Sequence, residues 1–178
     1  MRANVFARPE QIQSLISTIS AAFAAAFERA PEETRAGGMN AVLNVEMEGE
    51  RGAILKALRG LSRFDTAIVA AAALPAGHPN GARASAIEFL AAFAIPASLS
   101  RRIDAVLARH LIGRHFGGRI DYKELGAIHD LDPSNVRRRA CAVSEALVAE
   151  ERATWERVAS CLRDAVAAHS SSRFSMEV

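Results

Sequence analysis

Apolar residues recur every three or four positions through most of the chain, which is the spacing of an amphipathic α-helix. The first such helix is predicted from Pro9 to about Ala30, because proline followed by an acidic residue favours a helix start. Its apolar face consists of Ile12, Leu15, Ile16, Ile19, Phe23 and Phe27. Two shorter helices are predicted over residues 39–47 and 53–61. Their candidate buried residues are Leu43, Met47, Ile54, Leu55, Leu58 and Leu61.

The middle of the chain joins a strongly apolar helix to a strong turn signal. Residues 62–74 are apolar around most of the helix circumference, which predicts a central buried helix. The sequence PAGHPNG at residues 75–81 then predicts a turn. We therefore predict an N-terminal helical module over residues 1–80, which we expect to bind a partner or another copy of the chain, and a helical subdomain over residues 81–178.

The second subdomain is predicted to begin with two helices, over residues 83–93 and 99–115. Pro96 separates them, and the Gly117-Gly118 pair ends the second one. His110 is expected to be partly buried in that second helix.

The composition favours helix over strand. Half of the residues are hydrophobic and only 6% are aromatic, and alanine supplies much of the hydrophobic fraction. Alanine loses no side-chain entropy on helix formation, whereas strands favour β-branched and aromatic residues. We therefore predict an all-α multi-helix bundle.

Charge is distributed unevenly, although the formal net charge is only +2. Residues 1–80 carry eight charges of each sign, whereas residues 101–139 carry nine basic and five acidic residues. No apolar run is long enough to cross a membrane, and the first residues lack the apolar core of a signal peptide. We therefore expect a cytoplasmic protein with reduced Cys141 and Cys161, which would lie about 30 Å apart on one long helix.

The segment from Asp121 to Leu147 has the pattern of two short-linked helices. Asp121 is predicted to cap a first helix that ends at His129, with Leu125 and Ile128 facing inward. Gly126 would allow the second helix to pass closely. Asp130 occupies the turn, where a left-handed backbone is needed and where Asp is among the more tolerant residues.

The second helix of this segment is predicted to begin at Asp132 and Pro133, since an Asp cap followed by proline is a strong helix start. Its inward stripe consists of Val136, Ala140, Val143 and Leu147. The opposite face would present Ser134, Asn135, Arg137 and Arg138 to DNA bases. Arg119, Tyr122, Lys123 and Arg139 would bind phosphates. This pattern predicts a helix-turn-helix that docks in the major groove of double-stranded DNA.

The stretch from Tyr122 to Arg137 resembles the helix-turn-helix of sigma-factor region four and related bacterial transcription regulators. The matching positions are Tyr122, Glu124, Leu125, Gly126, Leu131, Asp132, Pro133, Val136, Arg137 and Arg139. Gly126 stands where that family usually has alanine, and Asp130 where it usually has glycine. The resemblance covers residues 121–147 only, so it implies a local docking geometry and not the activity of a sigma factor.

The last part of the chain is predicted to continue the second helix of this motif without a break. Its apolar stripe consists of Val148, Trp155, Val158, Leu162 and Val166. Trp155 suits either packing on the N-terminal helices or a contact between two copies of the chain. A homodimer would be useful, because two helix-turn-helix units bind two half-sites about one DNA turn apart.

These patterns predict a sequence-specific DNA-binding transcriptional regulator of bacterial or phage type. One alternative is a helical protein-interaction adaptor, such as a phage-type packaging factor, in which the motif is structural. Another is a small-molecule sensor that uses the alanine-rich N-terminal bundle as a pocket and whose DNA binding depends on the ligand. We predict no enzyme activity, cofactor or metal site, because the sequence lacks a phosphate-binding glycine loop, a nucleophile elbow and paired metal-ligand spacing.

Overall fold

The computed structural model describes residues 9–31, 38–75 and 81–174, and the secondary structure of these residues is entirely helical. This confirms the predicted all-α fold. The helices are α1 (Pro9–Arg29), α2 (Gly38–Leu43), α3 (Gly49–Arg59), α4 (Arg63–Ala73), α5 (Ala82–Phe93), α6 (Ala97–Ser100), α7 (Ala105–His115), α8 (Tyr122–Ile128) and α9 (Pro133–Phe174). None of the helices among these residues is both long and apolar enough to span a membrane.

The prediction of one helix over residues 99–115 is wrong, because Asp104 interrupts it. The Asp104 Oδ1 atom accepts hydrogen bonds from the backbone N–H groups of Val106 and Leu107, both at 2.9 Å. These bonds make Asp104 the N-cap of α7, and the shorter α6 ends before it. His110, expected to be partly buried, is exposed on α7.

The helices α2 and α3 are displaced towards the N-terminus relative to the predicted ranges. Gly49 has a positive φ of 73°, which lets α3 start directly after the non-helical residues 45–48. Gly52 follows in the first turn, where a Cβ atom would lie 1.8 Å from the carbonyl oxygen of Met47. This close approach requires glycine and explains why α3 begins earlier than the apolar pattern alone predicts.

The long helix α9 packs against α3, α4, α7 and α8, so it contacts both halves of the chain. One hydrophobic cluster includes Ile19 and Ile68 from the first half and Leu107 and Val143 from the second. The predicted boundary at residues 75–81 lies largely outside the described residues. The described core is nevertheless continuous across it.

Trp155 is fully buried by the other helices of its own chain, which makes it a core residue. Val158 and Leu162 are buried on the same stripe, as expected, whereas the side chain of Val166 is outside the described part. Val148 was expected on this stripe and is 56% exposed, so that expectation is wrong. It directly follows Leu147, which is the buried residue at that level of α9.

Arg83 provides a polar connection inside the core. Its Nε atom donates to the carbonyl oxygen of Ala71 at 2.9 Å, and its Nη2 atom donates to that of Phe116 at 2.7 Å. Burial lowers the pKa of Arg83 from its usual value. The two bonds join the end of α4 to the residue after α7, and thereby support the segment that leads into α8.

Candidate nucleic-acid interface

The helices α8 and α9 both begin at an aspartate cap. The Oδ1 atom of Asp121 accepts the backbone N–H of Lys123 at 2.8 Å, and the Oδ1 atom of Asp132 accepts that of Ser134 at 2.8 Å. The side chain and backbone of Ser134 donate to Asp132 and hold the pKa of its carboxyl below its usual value. Both helix starts therefore agree with the sequence prediction.

The turn between α8 and α9 depends on two unusual backbone positions. Asp130 adopts a left-handed conformation with φ 51°, as the sequence predicts. The backbone N–H of Leu131 donates to the carbonyl oxygen of Gly126 at 2.8 Å, and a Cβ atom on Gly126 would lie only 2.5 Å from the carbonyl oxygen of Leu131. Glycine at this position therefore lets the turn fold back onto α8.

The predicted inward stripe of α9 is confirmed. Val136, Ala140, Val143 and Leu147 are all buried, and on α8 Leu125 is 3% exposed. The expectation that Ile128 also faces inward is wrong, since its side chain is 61% exposed. The short helix α8 instead buries Leu125 and Gly126, while Ile128 lies at its carboxyl end.

A groove runs between the start of α8 and the start of α9. It brings together five of the predicted contact residues: Arg119, Tyr122, Lys123, Ser134 and Arg137. All of these except Tyr122 are exposed. The helix-turn-helix geometry thus gathers side chains that are up to 18 positions apart in the sequence.

The other three predicted contact residues do not line this groove. The Nη2 atom of Arg138 donates to the Oδ1 atom of Asn135 at 2.8 Å, and Arg138 is exposed. Arg139 is half-buried next to the buried Ala140. Arg138 and Asn135 therefore form a second polar surface on α9, beside the groove.

The cations of this region form no ion pairs within the described residues. This applies to Arg119, Lys123, Arg137, Arg138 and Arg139. By contrast, Arg109 on the neighbouring helix α7 pairs with Glu88 at 3.3 Å. The five cations of the helix-turn-helix can therefore bind an external anion without first breaking an ion pair with a described residue.

Arg114 is part of this region, although the sequence interpretation did not select it. Its guanidinium carbon lies 4.5 Å from the ring centroid of Tyr122, a cation–π contact. The tight turn at Gly117 and Gly118 brings the two residues together, since Gly117 has φ 87° and a Cβ atom on Gly118 would lie 2.6 Å from the carbonyl oxygen of Gly113. In the sequence, the Gly117-Gly118 pair indicates this turn but does not indicate that Arg114 contacts Tyr122.

Two histidines connect helices around the motif. The Nδ1 atom of His129 lies 3.1 Å from the Oδ2 atom of Asp104, which joins the end of α8 to the start of α7. The Nε2 atom of His115 lies 2.9 Å from Glu151 on α9. Neither belongs to a group of three or more potential metal ligands within the described ranges.

A search of protein families, curated proteins and solved structures finds no match to this chain. Functional assignment therefore depends on the geometry of the chain itself.

Proposed function

We propose that this protein is a sequence-specific DNA-binding regulator that inserts the start of α9 into the major groove. The observation that carries the proposal is the groove between α8 and α9, whose lining contains Arg119, Lys123 and Arg137 together with Asp121 and Glu124. None of the three cations forms an ion pair with a described residue, the two acidic residues of the groove included. Unpaired cations beside an exposed helix start match the chemistry of a phosphate backbone next to base edges.

The proposed DNA contacts fall into two groups, those to phosphates and those to bases. Arg119 and Lys123, near the start of α8, are placed to contact phosphates at the edge of the DNA major groove. Arg114, which lies above Tyr122, can do the same. The first N–H groups of α9 already bind Asp132, so a phosphate is not expected at that helix end. Base recognition would come from side chains on the exposed face of α9.

Arg137 and Arg138 are the strongest candidates for base recognition. Arginine pairs bidentately with guanine, and each such pair contributes about 1–3 kcal/mol of discrimination. In the absence of DNA, Asn135 accepts a hydrogen bond from Arg138, and this bond orients both side chains. Ser134 completes the surface on the groove side.

The experiment starts with selection of a binding site from a random oligonucleotide pool, followed by affinity measurements on the selected duplex and a scrambled one. The double variant Arg137→Ala, Arg138→Ala is expected to lose the preference for the selected duplex while its helical circular dichroism is unchanged. Equal affinity of the variant and the wild type for the selected duplex would contradict the proposal.

A matched control removes two other exposed cations, Arg51 and Lys56 on α3. Lys56 lies near Cys161, 24 positions along α9 from Arg137, which corresponds to about 36 Å of helix. The control has the same net charge as the double variant and is expected to keep the sequence preference. Loss of preference in both variants would indicate a general charge effect.

A homodimer fits this proposal, because a single helix-turn-helix rarely provides enough affinity and a dimer spans two half-sites about 34–36 Å apart. The buried Trp155 is not available as the contact. Light scattering with and without the selected duplex measures the stoichiometry. A palindromic selected site bound by two chains is the expected result.

A protein-interaction adaptor is the second candidate, and one observation favours it. Ile128 on α8 and Val148 on α9 are large apolar side chains that are 61% and 56% exposed, and a partner protein that covered either of them would bury this apolar surface. An adaptor would lose its protein partner on Ile128→Glu and keep it in the double arginine variant. Under the DNA-binding proposal, the double arginine variant loses sequence-specific DNA binding and Ile128→Glu keeps it.

A further inference from the structure

A second groove, which shares no lining residue with the groove of the helix-turn-helix, lies between the ends of α2 and α3 and the first turns of α4 and α5. Its volume is about 570 Å³, within the range of roughly 300–1,000 Å³ that is usual for small-molecule sites. Small side chains form the floor, among them Ala70 and Ala86, which are 1% and 7% exposed. Alanine at these helix contacts leaves a depression whose accessible lining is divided about equally between polar and apolar atoms.

Two arginines stand at this groove, and both are held in place. The Nε atom of Arg59 donates to the carbonyl oxygen of Leu43 at 2.6 Å, and its Nη2 atom donates to that of Val45 at 3.3 Å. The guanidinium carbon of Arg63 lies 4.7 Å from the ring centroid of Phe89. The two cations are therefore oriented before any ligand arrives.

No acidic residue is among the described residues that line this groove. Arg59 and Arg63 also form no ion pair with the residues that the structure describes. The remaining polar groups are neutral, and the side chains of Asn44 and Ser85 lie within reach of an occupant. The groove therefore combines an alanine floor with two arginines that form no ion pair with a described residue, although Arg59 also borders a neighbouring depression that contains Glu46 and Glu48.

We propose that this groove binds a small amphipathic carboxylate, such as a medium-chain fatty acid. The alkyl body would lie on the alanine floor, and the carboxylate would accept hydrogen bonds from Arg63 and from the N–H groups of Arg59 that the backbone carbonyls leave free. Guanidinium groups pair with carboxylates in a planar, charge-assisted geometry, which makes them selective for this head group over a neutral one. This site is separate from the DNA-binding surface, so the proposal does not depend on the proposed function.

Isothermal titration calorimetry of the full chain with sodium decanoate tests the site, and decan-1-ol provides the neutral comparison on the same wild-type protein. Decanoate is expected to bind one to one and about tenfold more tightly than decanol, the effect of one charge-assisted hydrogen bond. Absence of decanoate binding, or equal affinity for the two compounds, would overturn the proposal.

Two variants locate the binding. Arg63→Gln removes an exposed cation and is expected to weaken decanoate about tenfold while leaving decanol unchanged. Ser85→Trp places a large ring in the groove from an exposed position on α5 and is expected to abolish binding of both compounds. Arg51→Gln, outside the groove, is the control and is expected to bind as the wild type does. Unchanged decanoate affinity in both groove variants would show that the compound binds elsewhere.

Discussion

Arg157 on α9 donates hydrogen bonds to both carboxylate oxygens of Asp65 on α4, and 92 positions of sequence separate the two residues. The carboxyl of Asp65 is buried and also accepts the hydroxyl groups of Thr154 at 2.7 Å and Ser62 at 2.8 Å. Burial alone would raise the pKa of Asp65, but these hydrogen bonds outweigh it and lower the pKa. The cluster fixes the long helix against the N-terminal half of the chain.

The two partners of this pair are expected to respond differently to substitution. Arg157→Met leaves a buried carboxylate without its cation and is expected to lower the free energy of unfolding by about 3 kcal/mol. Asp65→Asn keeps a polar group for Thr154 and Ser62, and Arg157 is already half exposed and can turn to solvent. The expected loss in free energy of unfolding is therefore smaller, about 1–2 kcal/mol. Urea denaturation measures both values. A larger loss for Asp65→Asn would contradict this account of the cluster.

Acid is expected to weaken the same cluster. Because folding lowers the pKa of Asp65, its contribution to stability is present above the unfolded pKa of about 3.9 and is lost as the pH falls through the lower folded value. The stability difference between wild type and Asp65→Asn should therefore be constant near neutral pH and decrease below about pH 4. Denaturation curves at several pH values test this. A difference that grows on acidification would mean that the carboxyl is protonated in the folded protein.

Gly126→Ala is expected to destabilise the helix-turn-helix. The added Cβ atom would lie 2.5 Å from the carbonyl oxygen of Leu131, and the resulting strain should exceed the roughly 1 kcal/mol gain in helix propensity. A net loss of about 1–2 kcal/mol is expected, with a fall in Tm of several degrees. The matched control is Gly60→Ala, where the nearest atom is 3.5 Å away and φ is −79°, so stability should stay the same or rise.

Asp130 tests the turn independently of packing. Its φ of 51° is disfavoured for β-branched residues, so Asp130→Val is expected to cost about 1–2 kcal/mol. Asp130→Gly removes the steric conflict and should leave stability within about 0.5 kcal/mol of the wild type. Thermal unfolding of the two variants compares them. Equal stabilities for Val and Gly would indicate that the turn changes conformation in solution.

Features that depend on neighbours in the sequence could be predicted. The caps at Asp121 and Asp132, the turn at Asp130 and the buried positions Val136 and Val143 all follow from local spacing, and the structure contains them. The continuation of the motif into one helix up to Phe174 follows in the same way. These elements are determined within a few turns of helix.

Features that depend on distant contacts could not be predicted. Nothing in the sequence near Asp65 indicates Arg157 as its partner, and Thr154 is a buried polar residue beside an otherwise apolar stripe. Ile128 and Val148 have suitable spacing for burial, but none of the helices that the structure describes covers them. The apolar spacing continues across Asp104 and therefore does not indicate the helix break there. The spacing of apolar residues shows which face of a helix is apolar, but it does not show whether another helix packs on that face.

The central claim is tested most directly by the salt dependence of DNA binding, measured as fluorescence anisotropy of a labelled random-sequence duplex. Release of counterions from the phosphates should make the logarithm of the affinity fall linearly with the logarithm of the salt concentration. Lys123→Ala should reduce the slope by about one, since it removes one phosphate contact. Absence of binding at low salt would contradict the account and leave the motif as a structural or protein-docking element.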